Sequence, residues 1–202
     1  MIQIAIQYLK TPYGELVLGS FDEKLCLCDW RNGKTRQTID NRLRKGLRAV
    51  FAENKSKVLD MTTQQLQEYF EGKRRQFDVP LLMVGTSFQK SVWNELRQVS
   101  YGQTLSYLQL AEKVGNKNAV RAVANANGAN AISILIPCHR IIGSNGKLVG
   151  YAGGLETKKK LLILEKTCPA YNSPDRSGGE IKELRYISYR HLCSRDNSYC
   201  CS

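Results

Sequence analysis

Histidine is nearly missing from this 202-residue chain: there are two, His139 and His191, so Cys26 and Cys28 have no imidazole partners with which to build a zinc site. Acid is scarce too. Eighteen Asp and Glu stand against thirty Lys and Arg, a net charge of +12. That charge favours polyanions such as nucleic acid through counterion release, and it equally describes a generally basic soluble protein. No stretch approaches the roughly 18 uncharged apolar residues of a membrane helix. The opening run from Met1 to Ile6 also lacks a basic flank before an apolar core, so a cytoplasmic protein with no membrane partner is the expectation. What the seven cysteines lack is framework spacing: Cys26 and Cys28 are neighbours, Cys138 stands alone, and Cys168, Cys193, Cys200 and Cys201 lie late. An odd count without pattern excludes a secreted disulfide scaffold and fits reduced thiols.

With 42% hydrophobic residues the chain can fill one ordinary core or two small ones. Ile2, Ile4, Ile6 and Tyr8 alternate with polar or small residues, the period of a strand with one buried face. Residues 15–20 and Lys24–Trp30 read as two further strands of an antiparallel meander, with turns at Pro12-Tyr13-Gly14, Phe21-Asp22-Glu23 and Asn32-Gly33. A basic helix is expected over residues 41–51. A second should begin at Thr62, with Thr62 and Gln65 as a capping box, and stop at Gly72. A short strand over residues 77–79 precedes Pro80. Residues 1–84 thus form a small α/β domain.

From Gly85 the period becomes helical. Capping boxes Thr86-x-x-Gln89 and Ser106-x-x-Gln109 start two helices, the second ending at Gly115, and Asn116 caps another over residues 117–127. Two short helices across a glycine turn suggest a helix-turn-helix. Ala119, Ala122 and Ala126 would give its second helix one small face, able to approach another surface closely or simply to pack on the first helix. Residues 132–136 read as a buried strand ended by Pro137, which would leave Cys138 exposed at a turn. A glycine-rich loop follows, and residues 155–166 form a closing helix with Leu161, Leu162 and Leu164 inward. Residues 168–202 contain too few large apolar side chains for a core and read as a flexible tail. Its His191, Cys193, Cys200 and Cys201 match no common zinc spacing.

An isolated cysteine is usually an inert, buried small hydrophobe. Three features set Cys138 apart: the strand end, the adjacent His139, and Arg140, whose charge would lower the thiol pKa. Neighbours on an extended chain point to opposite faces, so His139 would have to act through a turn or a water. It would also need an acid to fix its tautomer, and Glu165 on the closing helix is the candidate.

The run Ile136-Pro137-Cys138-His139-Arg140-Ile141-Ile142 resembles the active-site signature of the O6-alkylguanine-DNA alkyltransferases. Phe88-Gln89-x-x-Val92-Trp93, Ser106-Tyr107-x-x-Leu110-Ala111, Arg121-Ala122-Val123, Asn127-Gly128-x-Asn130 and Gly150-Tyr151-Ala152-Gly153-Gly154 resemble family motifs in the same order. The resemblance spans residues 1–167. It implies an α/β fold made of a ribonuclease H-like N-terminal domain, residues 1–84, and a helical, winged-helix-like domain with a helix-turn-helix, residues 85–167.

The same resemblance implies single-turnover repair without a cofactor or metal, by a monomer acting on double-stranded DNA. Cys138 would take the alkyl group from O6-alkylguanine, with O4-alkylthymine a second candidate, and be spent. His139 would activate it through a water, Glu165 would orient His139, and Asn130 would hold the turn. The damaged base must leave the duplex to reach a thiol. Arg121 would fill the gap in the stack, Tyr107 would hydrogen-bond the base, and Tyr151 and Ala152 would shape its pocket, with the second helix in the minor groove. The chain departs from the family at Ala124-Asn125, where a glycine is expected, at Ala131, where proline is common, and at Ala152, which lacks a hydroxyl some relatives carry. A damage-flagging module would lack the reactive cysteine. A cysteine hydrolase would leave Arg121 and the helix pair unexplained.

Overall fold

Three strands, β1 (Gln3–Thr11), β2 (Gly14–Phe21) and β3 (Lys24–Trp30), form the expected meander in this computed structural model, which describes residues 2–167. Asp22 and Glu23 both take left-handed φ (49° and 54°) between paired Phe21 and Lys24. Two such residues are what a tight hairpin needs to match the twist of its strands. The readings of residues 168–202, including the zinc alternative, lie outside the described residues.

Three expectations for the first half need correction. The basic helix α1 spans Arg36–Leu47 and ends at a left-handed Arg48 (φ 50°), so Phe51 belongs to strand β4 (Val50–Glu53). This strand pairs parallel with β1 and completes the order β3-β2-β1-β4. Its four residues carry no alternation by which to recognise it.

Helix α2 (Lys57–Phe70) starts well before Thr62. Thr62 is buried inside it and donates to the Val58 carbonyl (2.6 Å), while Gln65 accepts from the Asp78 amide (3.0 Å). Both supposed capping residues are committed elsewhere, although Gly72 does end the helix region with φ 73°. Residues 77–79 are not a strand. Instead Leu25 of β3 donates to the Pro80 carbonyl and accepts from the Leu82 amide, both at 2.8 Å, so that segment covers the edge of the sheet.

In the second half both capping boxes form. Thr86 and Gln89 start α3 (Ser87–Arg97), and Ser106 and Gln109 start α4 (Tyr107–Lys113), each pair exchanging two hydrogen bonds. The chain reverses at Gly115, whose φ of 88° suits glycine. Asn116 then caps a 3-10 turn (Lys117–Ala119) that runs into α5 (Val120–Gly128). This is the helix-turn-helix.

The alanines of α5 do not share an exposed face. Ala122 is exposed, whereas Ala126 is buried and its carbonyl accepts from Trp93 Nε1 at 2.8 Å. The outer stripe is Arg121, Ala122, Asn125 and Gly128. Just before α4, β5 (Leu105–Ser106) pairs with β6 (Ile141–Ile142), which ties the start of the helix pair to the segment after Cys138. Helix α6 (Leu155–Thr167) closes the unit.

Residues 132–136 are buried, as expected, but they are a tight turn and not a strand. Ile134 has φ 74° and the Ile136 amide donates to the Ile132 carbonyl at 3.0 Å. Asn130 explains the departure. Its Oδ1 accepts from the Ile132 amide (3.0 Å) and its Nδ2 donates to the Ile136 carbonyl (2.9 Å), pinning both ends of the turn. The turn also lies on β3, through Cys28 to Ala131 (2.8 Å) and Ser133 to Cys28 (2.6 Å).

Candidate active site

Cys138 begins a 3-10 turn (Cys138–Arg140) and is 5% exposed, so the expectation of an exposed thiol fails. It lines a cleft of about 210 Å³ together with Tyr107, Asn130, Ser133, Tyr151 and Ala152. Burial pushes the thiol pKa up. Hydrogen bonds from Asn130 and Ser133 and the charge of Lys158 act the other way. At rest the sulfur holds its proton.

Behind the thiol, His139 and Glu165 are fully buried, with Nε2 and Oε1 2.8 Å apart. Glu165 is the most heavily hydrogen-bonded group in the site. Its Oε1 also accepts from Tyr69 (2.8 Å) and Arg140 (2.9 Å), and its Oε2 from Arg140 (2.9 Å) and the Gly102 amide (3.1 Å). Although burial opposes ionisation, His139 and Arg140 together hold the carboxyl well below the usual carboxylate range. Burial conversely depresses the His139 pKa, so the imidazole is neutral. A neutral ring facing a carboxylate carries its hydrogen on Nε2. Its Nδ1, buried and without a partner among the described residues, is left as a free base.

Arg140 therefore does not serve the thiol, as its place in the sequence suggested. Its guanidinium forks onto Glu165 and its NH1 donates to the Val99 carbonyl. The cation that acts on Cys138 is Lys158, which is fully buried. Lys158 Nζ donates to the carbonyls of Ile141 (2.5 Å), Val149 (2.6 Å) and Gly150 (3.4 Å). Within Lys158-Lys159-Lys160 it passes for a solvated charge. A signal was present: Lys158, Leu161, Leu162 and Glu165 follow helical spacing, and all four are buried.

The two tyrosines frame the cleft. Tyr107 opens α4 and its hydroxyl accepts from Asn127 Nδ2 (3.4 Å), while burial raises its pKa to about 12, so it stays a hydrogen donor. The Tyr151 hydroxyl accepts from Trp30 Nε1 at 3.0 Å. Lys34 and Thr35, just before α1, complete the rim, and sequence reasoning missed them. Arg121 is not part of the cleft; it lies exposed on the outer stripe of α5.

Gly153 locks this wall, because a Cβ there would stand 2.6 Å from Trp30 Cδ1 and Nε1. Gly153→Ala is expected to displace Trp30, free Tyr151 and cost about 1–3 kcal/mol. A thermal melt unchanged within a degree would show that the ring can yield.

A cysteine whose neighbouring imidazole is held as a free base by a buried carboxylate, opening on a cleft beside a helix-turn-helix, is a candidate thiol nucleophile carried on a DNA-binding frame. Comparison gives the class its family. Residues 4–83 match the 6-O-methylguanine DNA methyltransferase ribonuclease-like domain, and residues 87–167 match the DNA binding domain of the same family. A Methylated-DNA--protein-cysteine methyltransferase of Methanosarcina acetivorans is 41% identical over 159 residues, 79% of this chain and 96% of the relative. The constitutive Bacillus subtilis protein of that name is 39% identical over 163 residues, 78% and 92% of the two chains. The crystal structure of Mycobacterium tuberculosis O6-methylguanine methyltransferase superposes with a TM-score of 0.70 at 34% identity, covering 84% of this chain and 96% of that one. A Mycobacterium tuberculosis structure in complex with DNA gives 0.70 at 35% identity, covering 83% and 94%. The chain belongs to the 6-O-methylguanine DNA methyltransferase family.

Proposed function

We propose that this protein repairs DNA by transferring the alkyl group of O6-alkylguanine, methyl above all, to its own Cys138, once and irreversibly. The observation that carries the reading is the buried His139–Glu165 pair at 2.8 Å, next in the chain to a thiol that lines the cleft. A thiol held protonated by burial needs a base, and Nδ1 of a neutral, anchored His139 supplies one through a water. Sulfur attacks the alkyl carbon as the carbon–oxygen bond to the base breaks. Tyr107, protonated at neutral pH, gives its proton to the departing guanine, so the base leaves neutral, and the proton that His139 took from the thiol replaces it on the Tyr107 oxygen. The thioether has no good leaving group, so the protein is spent.

Asn130 holds the turn that presents Cys138, and Tyr151 and Ala152 form the wall against the flipped base. Arg121 fills the space the base vacates, with α5 in the minor groove. Support for that docking is the outer stripe of α5, which carries a cation and small residues and no acid. The protein works as a monomer on double-stranded DNA, aided by its net charge of +12.

Mixing the protein with a duplex containing O6-methylguanine should add one methyl group to the peptide carrying Cys138, never more than once per molecule, as read by mass spectrometry. Repeated turnover or no transfer would sink the reading. Cys138→Ala should bind the duplex and transfer nothing.

A further inference from the structure

One buried acid in the first half of the chain has no place in this chemistry. Asp29, near the end of β3, is fully buried; its Oδ1 accepts from Ser133 Oγ at 3.3 Å, and among the described residues no side chain reaches its Oδ2. Such a carboxylate is costly unless it serves a purpose. Ser133 lines the cleft with Cys138, and its hydroxyl acts to favour the thiolate there. A hydroxyl has one hydrogen, so Ser133 cannot donate to the carboxylate and to a thiolate at once.

We propose that Asp29 and Ser133 are a positioning pair that sets the reactivity of Cys138, the Ser133 hydrogen turning from Asp29 Oδ1 to Sγ when the sulfur loses its proton. The inference rests on the reading of Cys138 as the nucleophile. The thiol proton leaves towards His139, and no covalent bond changes at Ser133. Asp29 then loses the Ser133 donor, keeps only the backbone of Trp30, and has its charge facing the thiolate, so the reactive arrangement favours a protonated Asp29.

The surroundings fit this coupling. Burial already raises the Asp29 pKa to about 6. From α1, Arg36 and Asp40 act on it with opposite signs, but Arg36 Nε is held by Asp40 Oδ1 at 2.8 Å. Arg42 is turned to the Ala129 carbonyl (2.6 Å). The other titratable groups that feel Asp29 are Cys28 beside it, Cys138 and Tyr151, all neutral at rest. Removing the Asp29 charge and removing the Ser133 hydroxyl should therefore move the thiol in opposite directions, which a purely structural pair would not do.

The test follows carbamidomethylation of Cys138 by iodoacetamide against pH in the full chain, reading the mass of the peptide that carries it. Asp29→Asn should shift the midpoint down by about one pH unit, a roughly tenfold gain in thiolate below both midpoints. Ser133→Ala should shift it up. Coincident profiles, or shifts of the same sign, overturn the proposal. Ser133→Ala alone decides the matter if Asp29→Asn does not fold. Methyl transfer from an O6-methylguanine duplex at neutral pH should rank Asp29→Asn above wild type above Ser133→Ala. If the wild type transfers nothing while the iodoacetamide midpoints still separate, the pair stands and the repair reading falls.

Discussion

Glu165→Gln is expected to cost transfer and stability together. Glu165 accepts five hydrogen bonds, from Tyr69, His139, the Gly102 amide and twice from Arg140. An amide replaces one acceptor by a donor, which must then face another donor. If it faces His139 Nε2, the ring moves its hydrogen to Nδ1 and the base towards Cys138 is lost. Loss of a general base costs about 10²–10⁴ in rate. Arg140 is left as a buried cation without a counter-ion, a loss of about 3–5 kcal/mol. Single-turnover rates and a denaturant titration would check both. A variant that transfers within threefold of wild type would mean that Glu165 only packs.

The pH dependence has a fixed sign. The Glu165 pKa is depressed on folding, so its contribution is present above the unfolded value near 4.5 and is lost as pH falls below it. The His139 pKa is also depressed, so the unfolded chain binds the proton first and stability declines below about 6.5. Wild-type protein should therefore unfold more readily from pH 6.5 downward and more steeply below 4.5. The steeper limb should flatten in Glu165→Gln.

What the sequence carried and what it hid divide along the range of the interactions involved. The boxes Thr86–Gln89 and Ser106–Gln109 are closed by residues three apart, so the local pattern sufficed. Thr62–Gln65 has the same spacing, yet Gln65 is committed to Asp78, thirteen residues away. The run from Ile132 to Ile136 announced burial correctly, but the left-handed Ile134 follows from the grip of Asn130 and the contact with β3, which periodicity does not encode. At the site, Cys138, His139, Tyr107 and Tyr151 were legible through ordered motifs. Arg140 was misread because adjacency in sequence was taken for adjacency in charge, whereas a 3-10 turn sends neighbouring side chains different ways. Asp29 and Ser133 lie 104 residues apart. Neither carries a motif, and only the fold joins them.

Lys158→Met should produce the largest structural loss of any exchange of similar length in the closing helix. The ammonium bridges the Ile141 carbonyl, just past the Cys138 turn, to the Val149 and Gly150 carbonyls, just before Tyr151. One buried cation thus holds together two segments of the cleft. Methionine keeps the apolar stem and leaves those acceptors without a donor, at about 1–3 kcal/mol for each that stays dry. With partial relaxation the net loss is about 3 kcal/mol, or roughly 6–12 °C in melting temperature for a chain of this size. The cation that favours the Cys138 thiolate goes with it, so transfer should slow most at low pH and recover partly as pH rises. Arginine should not restore the wild type, since its planar fork is bulkier than the ammonium it replaces in a fully buried site. Melting curves and single-turnover rates at two pH values separate the structural loss from the electrostatic one. A Lys158→Met protein that melts within two degrees or so of wild type and transfers at an unchanged rate would show that both loop segments hold their places without the lysine.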